Sequence, residues 1–280
     1  MRREVNLCLI GEGISASPSA AMQEAALLAS GRRGSYQLVD VDAARLPGVL
    51  RDLRAGRWHG ANVTIPYKSA LASVCDELEG DAARVGAVNT ITLDADGRLV
   101  GDNTDAAGFE MGLSAHRLWP LPESRAIVIG AGGAAASVVL ALTRVPAASI
   151  TVVARRITSA RALIERVGES VDCDLTVALW DEDYLERQLA SADIVVNATS
   201  AGLAQMPFTP ARLQASCTVA DVRYRPRPVD VVQASVDAGL RSCDGLEMLL
   251  HQGMLSFHRW TGDEPPYHAA RLALNEALAG

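Results

Sequence analysis

Apolar runs alternate with amphipathic stretches from the beginning of the chain. Short runs at Val5–Ile10, Tyr36–Asp40 and Ala61–Val63 have strand character, and helix-like stretches near 19–30, 43–54 and 68–79 separate and follow them. A strand over Val88–Leu93 then leads into a hairpin-like turn at Asp94–Gly97. This β-α-β-α rhythm predicts an open, mostly parallel sheet with helices on both faces. A helical segment from Thr104 to about Leu118, stopped by Pro120 and Pro122, connects it to a second α/β cycle. There the strands Ala126–Ile129, Ser149–Val153, Leu175–Leu179, Ile194–Val196 and Thr218–Val222 follow in order, with late helices near 229–238, 245–258 and 266–279. The expected architecture is a two-lobed α/β protein. Residues 1–104 form one lobe, 105–240 a second, and helices over 241–280 return to complete the first.

Composition narrows the picture. A chain of 280 residues exceeds one typical core, and 49% hydrophobic against 4% aromatic residues suits Ala-, Val- and Leu-rich parallel sheets covered by helices. A formal net charge of −7 argues against a nucleic-acid partner. No apolar run has membrane-spanning length, and the first residues lack a signal-peptide core, so neither membrane nor export is expected. Cys8, Cys75, Cys173, Cys217 and Cys243 are scattered without a C-x-x-C pair, and the five histidines show no metal-ligand spacing with them. Reduced thiols in a cytoplasmic monomer or homodimer, with no metal, are the expectation. Of 26 basic residues one is lysine, which leaves Lys68 against 25 arginines. Guanidinium stays protonated, whereas an ammonium in a partly dry site can lose its proton, so Lys68 marks a candidate acid–base position.

The stretch Ala126-Ile-Val-Ile-Gly-Ala-Gly-Gly-Ala-Ala-Ala places Gly130, Gly132 and Ala135 at G-x-G-x-x-A spacing between an apolar strand and a small-residue helix. The first glycine permits a tight turn and the second lets backbone N–H groups approach a diphosphate. The third small residue lets the helix sit close to the strand. Gly130, Ala131, Gly132, Gly133 and Ala134 are therefore candidate dinucleotide contacts at a helix N-terminus. About twenty residues on, where an NAD site carries an acidic residue, Arg155 and Arg156 stand instead. Two guanidiniums suit a 2′-phosphate, so the cofactor expected is NADP, with NAD still able to bind. Asn197, Thr199 and Ser200, at the end of a later strand, are candidates to border the nicotinamide ribose.

Five further segments then occur in order: Ser15-Ala16-Ser17-Pro18, Asn62-Val63-Thr64-Ile65-Pro66-Tyr67-Lys68, Ala87-Val88-Asn89-Thr90, Asn103-Thr104-Asp105-Ala106-Ala107-Gly108 and Asp244-Gly245-Leu246-Glu247-Met248-Leu249-Leu250-His251-Gln252-Gly253. With the glycine turn between them, the chain resembles the shikimate dehydrogenase family over nearly its whole length. The resemblance implies an N-terminal substrate domain and a Rossmann-type NADP-binding domain. It implies reversible NADP-dependent reduction of 3-dehydroshikimate to shikimate, a step of aromatic amino acid biosynthesis, with Lys68 and Asp105 as the proton-transfer pair. It further implies that Ser15 and Ser17 hold the substrate carboxylate, and that Thr64, Asn89 and Gln252 bond its oxygens. Tyr224 would border nicotinamide and substrate, and Gly245 would join the cofactor contacts. Paired hydroxyls on an extended Ser15–Ser17 segment held by Pro18 would both face one way.

The chain also departs from the pattern. The segment after Pro18 runs two residues longer and has Gln23 and Glu24 where the family has His-Asn. Tyr67 stands where His is common, Ala154-Arg155-Arg156 replaces Asn-Arg-Thr, and Val229 ends the family's Y-x-P-x-x-T. These mark a divergent member of the family. Quinate/shikimate or aminoshikimate dehydrogenation with NAD or NADP uses the same apparatus. A methylenetetrahydrofolate dehydrogenase would want more aromatic stacking than Tyr36, Trp58 and Tyr67 supply, and a non-catalytic dinucleotide sensor would leave Lys68 and Asp105 idle. Arg223, Arg225 and Arg227 read as a solvated basic loop, and His258 and Trp260 as helix packing.

Overall fold

The computed structural model describes residues 4–120, 122–145, 147–168, 173–180 and 183–279. The chain divides into two compact units, one running to Thr104 and resuming at Leu250, the other Asp105–Leu249.

In the first unit the order is β1 (Val5–Gly11), α1 (Ser19–Ala29), β2 (Gly34–Asp40), α2 (Leu46–Arg54), β3 (Gly60–Val63), α3 (Lys68–Ala72), β4 (Glu77–Leu78), α4 (Ala82–Val85), β5 (Thr90–Leu93) and β6 (Leu99–Asp102). The sheet order is β2-β1-β3-β5-β6-β4. Helical crossovers make β2, β1 and β3 parallel, whereas β5 runs antiparallel to both β3 and β6. A tight turn joins β5 to β6, where Asp94 Oδ1 accepts the N–H groups of Asp96 at 2.9 Å and Arg98 at 2.8 Å. Ile10, Leu53, Trp58, Val63, Leu71, Ile91 and Leu99 form part of the core. Burying a side chain of this size stabilises the fold by roughly 1.5–3 kcal/mol.

The expectation lacked β4 and α4, and one expected helix is shorter than read. The helix expected over 68–79 ends at Ala72, and the chain turns into β4. Arg54 on α2 draws it there, with Nη1 2.7 Å from Asp76 Oδ2 and Nη2 2.9 Å from Val74 O. Asp76 Oδ2 also accepts Leu99 N–H at 2.7 Å, which secures the strand edge.

The second unit contains α5 (Asp105–Ala115), β7 (Arg125–Ile129), α6 (Gly133–Leu142), β8 (Ser149–Ala154), α7 (Ile157–Val167), β9 (Asp174–Leu179), α8 (Asp183–Ala190), β10 (Ile194–Asn197), β11 (Thr218–Asp221), α9 (Asp230–Asp237) and β12 (Arg241–Cys243). All six strands are parallel, in the order β12-β11-β10-β7-β8-β9. The chain works outward from β7 through β8 and β9, then crosses back to β10 and works outward the other way. That strand order is the doubly wound arrangement whose ligand crevice lies at the carboxyl ends of β7 and β10. The expectation omitted α7, α8 and β12. The signal for α7 was present, since Ala160, Leu163 and Val167 lie on one helical face and are buried. Three-residue β12 is too short to carry a pattern.

The helix α10 (Leu246–Thr261) begins in the second unit and continues into the first, followed by α11 (Tyr267–Ala279). Its later turns are fastened to the first unit's sheet: Trp260 Nε1 donates to Ile91 O at 3.0 Å and Arg259 Nη1 to Asp102 Oδ2 at 3.0 Å. Trp260 is thus a packing residue, as read from the sequence. Among the described residues no helix is long and apolar enough to cross a membrane.

Candidate active site

In the first unit, the polar residues singled out in the sequence gather at the carboxyl ends of β1 and β3 and at the start of β5. The Ser15–Ser17 segment is a turn rather than an extended run. Ser17 N–H donates back to Ile14 O at 2.8 Å, leaving Ser15 exposed at the tip and Ser17 half-buried. The cause lies in another strand. Asp40, at the end of β2, accepts Gly13 N–H at 2.8 Å and Ile14 N–H at 3.1 Å, one on each carboxylate oxygen. The Ser17 hydroxyl donates to Ser19 Oγ at 3.1 Å. The two serines therefore do not share a direction through strand alternation.

Thr64 leaves β3 with its N–H on Ile10 O, and its carbonyl accepts Tyr67 N–H at 3.0 Å to close a turn into α3. Lys68 is the first residue of α3, half-buried, and its carbonyl accepts Val88 N–H at 2.9 Å. Tyr67 is 4% exposed, and its hydroxyl donates to Val41 O at 2.8 Å. The turn before Lys68 is thereby tied to the chain beyond β2.

Asn89 is 2% exposed, and its amide is oriented by the protein. Its Oδ1 accepts Thr104 N–H at 2.9 Å and the Thr90 hydroxyl at 2.8 Å, while Nδ2 donates to Gln252 Oε1 at 3.1 Å. Behind it Ser256 Oγ receives Asn62 Nδ2 at 3.0 Å and meets Thr90 Oγ1 at 2.7 Å, and Tyr36 donates to Asn62 Oδ1 at 2.7 Å. Buried polar groups persist when each finds a partner, and this network satisfies its members in turn. Sequence reasoning named Asn89 and Gln252 but missed Thr90, Thr104 and Ser256 as their supports. A helical repeat of four residues from Gln252 to Ser256 was the signal available for the last.

In the second unit, Gly130 follows β7 with φ of +123°, and a Cβ there would lie 2.9 Å from Ala198 O. Only glycine fits so close to the end of β10. At Gly132 an added Cβ would meet nothing within 4 Å, so the space above the turn is open. Gly132 precedes α6 in extended conformation, with no side chain capping the helix. The first-turn N–H groups of Gly133 and Ala134 then form a donor set suited to a diphosphate, while Ala135 is fully buried against the sheet. Arg155 and Arg156 follow the last residue of β8, both exposed, at the entry to α7. These features fit a dinucleotide carrying an additional phosphate.

Asn197 is fully buried and serves its own loop. Its Nδ2 donates to Asp221 Oδ2 at 2.9 Å and Ala201 O at 3.1 Å, and its Oδ1 accepts the Thr199 hydroxyl at 2.7 Å. Thr199 is half-buried and Ser200 exposed at the same strand end. Tyr224 is half-buried on the loop after β11. The solvated basic loop expected around it is corrected at Arg223, whose side chain is 14% exposed and ion-paired to Asp221 at 2.6 Å and Asp230 at 2.7 Å. Arg227 pairs with Asp244 at 3.2 Å. Burial pushes the Asp221 carboxyl above its usual range, and its bonds from Arg223 and Asn197 oppose that shift. Burial likewise pushes the Cys243 thiol up to about 12, which makes it an inert core residue. Asp105, 3% exposed, opens α5.

Gly245 joins β12 to α10, and its N–H donates to Arg223 O at 2.9 Å. A Cβ at this position would lie 2.0 Å from Val222 O, a backbone atom that cannot swing aside. Gly245→Ala is expected to cost about 1–3 kcal/mol of stability. Differential scanning calorimetry should show Tm lower by roughly 2–12 °C. An unchanged Tm would mean that this backbone approach is slack in solution.

The family model described as shikimate dehydrogenase substrate binding domain matches residues 9–91, shikimate / quinate 5-dehydrogenase matches 113–245, and shikimate 5'-dehydrogenase C-terminal domain matches 245–274. The shikimate dehydrogenase (NADP(+)) of an Exiguobacterium species is 35% identical over 265 residues, 93% of this chain and 94% of that one. The chain belongs to the shikimate dehydrogenase family. Among solved structures, the Thermus thermophilus shikimate 5-dehydrogenase in complex with NADP(H) and shikimate aligns with a TM-score of 0.85 at 33% identity, covering 98% of this chain and all (100%) of that one. The Corynebacterium glutamicum quinate dehydrogenase in complex with NAD aligns at 0.87 with 30% identity, covering 98% and 100%. Membership accounts for both a mixed first sheet bearing the polar cluster and a doubly wound second sheet bearing the glycine turn.

Proposed function

We infer that this shikimate dehydrogenase family member is an NADP-dependent oxidoreductase that interconverts 3-dehydroshikimate and shikimate. The observation that carries the reading is the join of two independent features. An uncapped glycine turn with an arginine pair supports NADP, and a cluster of oriented neutral donors beside the single lysine supports a small polyhydroxylated acid. The Exiguobacterium relative, 35% identical over 93% of the chain, carries the same activity in its name.

Bound NADP supplies the hydride acceptor or donor at its nicotinamide. The chain's residues supply the rest. Gly133 and Ala134 N–H groups receive the diphosphate at the helix start, and Arg155 and Arg156 grip the 2′-phosphate through paired charge-assisted bonds. Ala131 completes the turn, and Thr199 and Ser200 border the ribose, with Asn197 holding their loop. Ser15 donates to the substrate carboxylate, and Ser17 joins it when its hydroxyl turns from Ser19 to the ligand. Asn89, whose amide is engaged by Thr104, Thr90 and Gln252, orients the Gln252 amide, and Thr64 and Gln252 add neutral bonds to the substrate. In the oxidative direction Lys68 Nζ takes the hydroxyl proton as the C–H hydride leaves, and in reduction it returns that proton to the carbonyl oxygen. Asp105 orients the reacting hydroxyl, and Tyr224 borders the reacting ring. Disulfide-free cysteines among the described residues suit a reducing cytoplasm.

The test is a panel of shikimate and quinate with NADP and NAD, followed by NADPH or NADH absorbance. Shikimate with NADP is expected to give the highest kcat/KM. A higher value for quinate with NAD would overturn the substrate and cofactor assignment together.

A further inference from the structure

One charged cluster in the second unit has no part in the scheme above. Arg223 lies at the end of β11, where the sequence suggested a solvated basic loop, yet both its backbone and its guanidinium are engaged. The guanidinium spans two carboxylates: Nε lies 3.1 Å from each oxygen of Asp221, and Nη2 lies 2.6 Å from Asp221 Oδ2 and 2.7 Å from Asp230 Oδ1. Its N–H donates to Asp221 Oδ1 at 2.8 Å, and its carbonyl accepts Gly245 N–H at 2.9 Å. The two carboxylates extend the ties. Asp221 Oδ2 receives Asn197 Nδ2 at 2.9 Å from the end of β10, and Asp230 Oδ2 receives Leu203 N–H at 2.7 Å from the loop beyond it. One residue thus connects the segments leaving β10, β11 and β12, three adjacent carboxyl ends of a parallel sheet, where ligands of this fold bind. Tyr224 is the next residue.

We propose that Arg223 is a positioning residue for hydride transfer: by bridging Asp221 and Asp230 it fixes the backbone from which Tyr224 projects and the 198–206 loop, and so aligns the nicotinamide end of the site. The inference rests on the dehydrogenase reading. It separates alignment from affinity, because the glycine turn and the arginine pair that carry cofactor affinity stand on β7 and β8. Cutting the bridge leaves the buried Asp221 carboxylate without its guanidinium and releases both loops, while diphosphate and 2′-phosphate contacts stay intact. Lysine retains the charge but not the fork that reaches two carboxylates at once.

The experiment compares Arg223→Met, Arg223→Lys and Asp230→Asn with the wild-type protein. Measured quantities are kcat and KM for shikimate oxidation, NADP affinity by calorimetry, the primary deuterium isotope effect with shikimate deuterated at the oxidised carbon, and hydrogen exchange of the 198–206 and 222–229 segments. Arg223→Met is expected to lower kcat about 10–100-fold, the scale of a small misalignment of reacting atoms. NADP affinity should change little, the isotope effect should rise, and both segments should exchange faster. Arg223→Lys should recover part of kcat, and Asp230→Asn should speed exchange mainly around Leu203. If folded Arg223→Met keeps the wild-type kcat and isotope effect, or loses NADP affinity in step with kcat, the proposal is overturned. Should Arg223→Met fail to fold, Asp230→Asn decides: wild-type exchange and kcat in that variant count against the bridge. Absence of shikimate turnover in the wild-type protein would sink the dehydrogenase reading instead, while exchange still reports whether Arg223 holds the loops.

Discussion

Lys68→Ala is expected to lower the rate of shikimate oxidation by about 10²–10⁴-fold, the usual contribution of a positioned acid–base group, with far less change in KM for shikimate. The expectation follows from where the residue stands. Lys68 is half-buried at the first position of α3, beside a turn held by Tyr67, and its own carbonyl is bonded to Val88 N–H. Removing the side chain leaves these backbone ties in place, so the variant should fold. Steady-state kinetics at saturating NADP measure the effect, with circular dichroism as the folding control. Lys68→Arg should be no better than Lys68→Ala, because guanidinium does not give up its proton at working pH. Comparable turnover in either variant would remove Lys68 from the chemistry.

The second large effect concerns cofactor choice. Replacing Arg155 and Arg156 together by Ala should raise KM for NADP about 10–100-fold, since bonds between charged partners contribute roughly 1.5–3 kcal/mol and each 1.4 kcal/mol is tenfold. KM for NAD should scarcely move. Both arginines are exposed and follow directly from β8, so their loss disturbs no core packing. Added salt should narrow the preference for NADP in the unmodified protein, as screening weakens contacts between exposed charges and phosphate. Parallel losses for NADP and NAD would argue that the pair supports the turn rather than the 2′-phosphate.

Much of the nucleotide half is legible in the sequence because its chemistry is local. A strand, a glycine turn and a small-residue helix occupy consecutive residues, and the arginine pair sits at the end of the next strand. Substitution by a larger residue at Gly130 would collide with Ala198 O, so sequence and geometry state the same constraint. The polar half is legible as a set of residues but not as an arrangement. Ser15 and Ser17 look alternate in an extended reading, and the turn they occupy is imposed by Asp40 from the end of β2. Asn89 and Gln252 are 163 residues apart, and nothing in the chain around either shows that one amide orients the other.

Legible without the fold are the alternation of strands and helices, the glycine turn, Lys68 as a candidate acid–base group from its rarity together with the motif around it, and the residues that make the family resemblance. Those are properties of neighbouring positions, where periodicity and steric demand act over a few residues. Tertiary structure decided where the expected helix at 68–79 stops, because Arg54 and the Leu99 N–H hold Val74 and Asp76 away from a helical path. It also decided that Arg223 is an internal bridge while Arg225 remains exposed. A charged side chain stays in water unless the fold brings carboxylates within reach to offset its desolvation. In this chain those carboxylates come from a strand end and a helix start that meet only when the sheet is assembled.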